Sequence, residues 1–142
     1  MTLRRADNSD ELAIAALASQ LGYPSSAEQI RRRLAAMQPE EQYFFRVAEN
    51  SEGRVVGWIG TCITRNAEHD PVPEISGLVV EEAARSRGVG QALVEAAEAW
   101  ARGQGFAAIT VRTNIIRTRA HGFYRRLGYA VVKTQHAFRK EL

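Results

Sequence analysis

A chain of 142 residues that is 45% hydrophobic and 25% charged carries enough apolar material for one buried core and too much for a disordered polymer. Its one cysteine, Cys62, excludes an internal disulfide framework, and the start "MTLRRADNSDEL" contains no secretion-type apolar run, so a cytoplasmic setting is expected. The formal charge of +3 comes from arginines and two lysines, Lys133 and Lys140, spread along the chain. That spread argues against nucleic acid as a partner, and no stretch long enough to span a membrane is present.

Residues 1 to 6 predict a short edge strand, followed by a helix capped at Asn8 or Ser9 with Asp10 and Glu11 in its first turn. Ile14, Leu17 and Leu21 form its apolar side, and Gly22 and Pro24 end it. "SSAE" reads as a capping box from Ser25 to Glu28, opening a second helix with Ile30, Leu34 and Met37 on one side. The β-branched and aromatic runs 42–49 and 54–65, joined by "NSEG", predict a hairpin.

A polar loop then leads to a strand over 74–80, in which Gly77 marks a bulge or a close backbone approach. From Val89 to Ala101 apolar residues recur at helical spacing, until Gly103 and Gly105. Residues 107–114 read as the next strand, so this region is strand, glycine loop, helix and strand, a βαβ unit with parallel pairing. A last helix over about 116–127 stops at Gly128, and "YAVVKTQHAF" predicts one or two closing strands. No repeat or linker interrupts the chain, which is expected to form a single domain over 1–142.

The glycine loop "RSRGVG" carries the chemistry. At a helix start the first N–H groups lack partners and the macrodipole is positive, so an anion is stabilised there. Glycines at 88 and 90 let a diphosphate approach the main chain, and Arg85 and Arg87 add charged donors. A Walker A loop would need a lysine, which is absent, and a dinucleotide fingerprint would need a small residue at Leu93. The plain structural alternative is a turn into an amphipathic helix.

Followed downstream by "AHGFYRRLGY", this loop resembles the acetyl-coenzyme A motif of the GNAT (GCN5-related) N-acetyltransferases. The order of elements agrees over essentially the whole chain. The resemblance implies a mixed α/β fold with a twisted sheet of about six to seven strands flanked by about four helices. It also implies acetyl-coenzyme A as cosubstrate, a small-molecule or peptide amine as acceptor, and direct attack in a ternary complex. Similar proteins often form homodimers, sometimes through late strands. The alternative is a non-catalytic coenzyme A-binding sensor or interaction module.

Residue by residue, the resemblance assigns cofactor contacts to Arg85, Ser86, Arg87, Gly88, Val89 and Gly90 in the loop, and to the main chain of Leu78, Val79 and Val80. Preformed donors of the latter kind are worth about 3 kcal/mol of barrier. Tyr124 takes the place of the general acid, since a phenol with a pKa of about 10 can return a proton to a thiolate whose conjugate acid lies near about 8.5. Its helical spacing with Ala120, Phe123 and Leu127 equally fits a core tyrosine. Glu74 is the candidate base, or else a solvated strand end, with His69 and His121 as alternatives.

The resemblance also assigns Asn114 a contact with the coenzyme's pantetheine or the adjoining backbone, the plain alternative being a cap or turn residue. Arg117 occupies the place where the family pattern more commonly has an asparagine. Metal-ligand spacing and a serine nucleophile elbow are both lacking, so metal-dependent and Ser-His-Asp chemistry are not expected.

Overall fold

The computed structural model describes residues 1–142, which divide into two units, 1–112 and 113–142. The first unit holds a five-stranded sheet in the order β1 (Thr2–Arg4), β2 (Tyr43–Glu49), β3 (Val55–Thr64), β4 (Val72–Val80) and β5 (Thr110–Val111). The first three pairings are antiparallel and β4–β5 is parallel, as the βαβ reading expects. Its helices are α1 (Glu11–Gln20), α2 (Ala27–Ala36) and α3 (Val89–Gly103).

Alternation along the strands distributes these helices over the two faces of the sheet. On β2, Phe44 stacks on Trp100 of α3, while the next residue, Phe45, stacks on Trp58. Trp58 and Phe45 pack against the cluster of Ile14, Ala15, Ile30 and Val47, on the face covered by α1 and α2. Ile59, Ile75, Leu93 and Val94 are essentially sealed from solvent. Burying side chains of this size contributes roughly 1.5–3 kcal/mol each.

Local chemistry corrects two expected caps. Asp7, rather than Asn8 or Ser9, caps the 3-10 turn that leads into α1, accepting from the Ser9 N–H, while the Asp10 carboxylate accepts from the Asp7 N–H at 2.8 Å. Asp10 is buried, and Arg4 reaches both of its oxygens at 2.8 and 2.9 Å, which lowers its pKa through those hydrogen bonds. At α2 the capping box is Ser26 with Gln29, not Ser25 with Glu28: their reciprocal bonds measure 2.9 and 3.1 Å. Ser25 instead bonds back to the Tyr23 carbonyl, so its hydroxyl belongs to the preceding turn.

The strand count is five, lower than the expected six to seven. Residues 107–114 form a strand only at Thr110–Val111, and the expected closing strands of 129–138 are not formed. Both segments have β-favouring composition, but a strand also needs a partner along its edge, which composition does not supply. The unit of residues 113–142 contains α4 (Thr118–Arg126), ended by Gly128 at φ 92°, and beyond it Val131, Val132 and Phe138 are exposed. No helix of the chain is long and apolar enough to cross a membrane.

Candidate active site

The sheet sets the geometry of β4. Against β3 its register shifts between Gly60 and Thr61, which pair with Gly77 and Ile75, so Ser76 is the extra residue of a bulge. Gly77 also meets a close approach: a Cβ there would lie 2.8 Å from the Trp58 ring. The bulge thus falls on the residue beside Gly77, and the close neighbour of Gly77 is a side-chain ring, not another backbone.

On its other side β4 pairs with β5 only at Glu74 and Ile75. Past Ile75 that edge carries no strand partner. The Glu81 N–H donates to the Val56 carbonyl of β3 at 2.8 Å. Alternation then turns the main chain of Val79 toward β3 and that of Leu78 and Val80 toward the open edge. In agreement, the Val80 carbonyl accepts from Arg85 Nε at 3.1 Å, and the Val79 side chain is buried.

Arg85 therefore ties the glycine loop to the end of β4. Within the loop Ser86 has φ 65° and Gly88 φ 80°, both left-handed. Glycine accepts that conformation freely, whereas serine does so at a cost, and such turns present successive N–H groups as an anion cradle. Gly88 is the N-cap of α3 but contributes no side-chain cap, and the first turn holds no acidic residue. The leading N–H groups of a 15-residue helix, including those of Val89 and Gly90, thus have no side-chain cap. Arg87 is exposed beside them.

Glu74 lies four residues before Leu78, roughly 13 Å along the strand. Its carboxylate is largely buried and pairs with Arg112 at 3.2 Å, a partner that the sequence reading did not single out. It also raises the pKa of the partly buried Cys62 thiol, behind the larger effect of burial. His69 is held in the 66–70 loop by Asn66 and the Asp70 carbonyl.

The second unit holds Asn114 and Tyr124. The Asn114 side-chain oxygen accepts from the Ile116 N–H at 3.1 Å, the turn role weighed for it, and its carbonyl accepts from the His121 ring at 2.9 Å. Tyr124 is 8% exposed and makes edge contacts with Phe123 and Tyr129. Burial pushes its phenol up to about 12, so it keeps its proton at neutral pH.

A model of the acetyltransferase (GNAT) family matches residues 11–129, a span containing β4, the glycine loop, Asn114 and Tyr124. The chain belongs to the GNAT acetyltransferase family. It is 38% identical over 102 residues to aminoglycoside N(6')-acetyltransferase type 1 of Klebsiella aerogenes, a match covering 68% of this chain and 65% of that protein, just under two thirds of its length. Among solved structures, the aminoglycoside antibiotic 6'-N-acetyltransferase AAC(6')-IG from Acinetobacter haemolyticus superposes with a TM-score of 0.83 at 20% identity, covering 100% of this chain and 99% of that one. AAC(6')-Iy, solved with the bisubstrate analog CoA-S-monomethyl-acetylneamine, gives 0.84 at 19% identity, covering 99% and 98%. At these identities the structural likeness establishes the GNAT fold.

Proposed function

We propose that this GNAT protein is an acetyl-coenzyme A-dependent N-acetyltransferase that acetylates a primary amine of a small molecule by direct attack, working as a single domain in the cytoplasm. The observation that carries the proposal is one continuous run of main-chain donors. It starts at the open edge of β4 at Leu78 and Val80, passes through the loop braced by Arg85, and ends at the uncapped start of α3. When bound, acetyl-coenzyme A supplies the activated acetyl group and a thiolate leaving group.

The chain's own groups then divide the work. The N–H groups of Val89 and Gly90, presented by left-handed Ser86 and Gly88, hold the diphosphate with the Arg87 guanidinium. Leu78 and Val80 offer edge N–H groups to the acyl end, and buried Val79 fixes the strand between them. Glu74, outside the immediate acyl site, receives the amine's proton through water. Tyr124 gives its proton to sulfur, and Asn114 shapes the turn before α4 while leaving its amide nitrogen for the pantetheine.

The named activity of the Klebsiella relative supports a small-molecule acceptor. A homodimer would give a partner to the exposed apolar residues Val131, Val132 and Phe138.

Tyr124→Phe tests the acid role: turnover should fall at least tenfold while acetyl-coenzyme A affinity, by calorimetry, stays within about threefold. Unchanged turnover would leave Tyr124 a packing residue. The same variant has a pH signature. Folding raises the phenol's pKa, so its contribution to stability is complete below about pH 10 and is lost as pH rises toward about 12, at about 1.4 kcal/mol per unit. Urea unfolding at pH 9 and 11 should show that loss in the wild type and not in the phenylalanine variant.

A further inference from the structure

The sheet face opposite α3 carries a groove of about 680 Å³ between α1, α2 and strands β2 to β4. Leu34 and Met37 form part of its wall, and the stacked rings of Phe45 and Trp58 form its floor. It extends to Ser76 and Gly77, immediately before Leu78. Arg33 is the one charged residue lining it, and no carboxylate does.

We infer that the acceptor is a monoamine on an apolar or aromatic body, not a polycation such as an aminoglycoside or polyamine. This narrows the substrate of the transferase proposed above and rests on that reading. The groove's volume is that of a small-ligand site, which typically measures about 300–1,000 Å³. An ammonium entering it loses water without gaining a carboxylate, and the guanidinium of Arg33 repels it. A monoamine meets this opposition once, and the result is useful, because desolvation favours the neutral amine that must attack. In the transfer the amine nitrogen bonds the acetyl carbon, the C–S bond breaks with its electron pair to sulfur, and the proton lost by nitrogen is balanced by one gained at the thiolate. Every further ammonium of a polycation would be desolvated with no such return.

The test uses 2-phenylethylamine, spermidine and kanamycin with the full chain, read by thiol release from acetyl-coenzyme A and by tryptophan fluorescence, Trp58 being in the floor. The expected result is saturable quenching or enhancement by 2-phenylethylamine and a kcat/KM for it at least tenfold above those for the other two. Ala36→Glu, which puts a carboxylate on an exposed lining position, should reduce that preference at least tenfold. Preference for kanamycin or spermidine would overturn the inference while leaving the transferase reading intact, as would 2-phenylethylamine failing to bind. Saturable binding of 2-phenylethylamine alone, with no amine acetylated, would support the groove's selectivity and sink the transferase reading instead.

Discussion

The glycine cradle before α3 and the groove beneath α1 and α2 both adjoin β4, but they are made of different material. The cradle is main chain: N–H groups exposed by two left-handed residues, an uncapped helix start and a strand edge left open past Ile75. The groove is mostly side chain, assembled from residues that lie far apart in sequence, such as Ile14, Leu34, Phe45, Trp58 and Ser76. A main-chain site can serve the constant part of a reaction while tolerating change at its side chains. A side-chain site can be re-cut for a new acceptor without touching the first. Under the assignments proposed above, the cosubstrate and the acceptor would be recognised within one fold by parts that vary independently.

Substitutions that separate the two regions test this division. The largest effect is expected from Gly77→Ala, whose new Cβ would sit 2.8 Å from the Trp58 ring and displace the groove floor. Overpacking of this kind costs about 1–3 kcal/mol in urea unfolding, and the acceptor KM should rise severalfold with coenzyme affinity nearly unchanged. Gly88→Ala should do the reverse. There is open space around that position, so the penalty is only the left-handed backbone, about 1 kcal/mol, and it falls on the cradle. Calorimetry should record about tenfold weaker acetyl-coenzyme A binding, with 2-phenylethylamine binding by fluorescence unchanged. If both variants weakened both ligands equally, the two regions would be one coupled site.

The same contrast explains what could be read in advance. The turn at "RSRGVG" was legible because glycines directly before a helical run mark a tight entry into a helix start, and Ser86 and Gly88 are left-handed there. Gly77 was legible too, since a glycine inside a strand signals a bulge or a close neighbour, although Trp58 as that neighbour was not foreseeable. The groove has no sequence signature because no local pattern joins its contributing segments. Arg112 beside Glu74 is likewise a tertiary pairing across β4 and β5. The caps at Asp7 and Ser26 went astray by one residue or so because adjacent Asp, Asn and Ser compete for the same N–H groups, and only the backbone angles choose among them. Beyond Gly128, "YAVVKTQHAF" has strand-like composition but no paired edge, so the expected strands do not form.

The most direct test of the central claim is amide NMR during a titration with coenzyme A. The N–H signals of Leu78 and Val80, turned to the open edge, and of Val89 and Gly90, at the start of α3, should shift together and saturate at one dissociation constant, while Val79, turned toward β3, moves less. Titration that leaves these four amides unmoved would contradict the account.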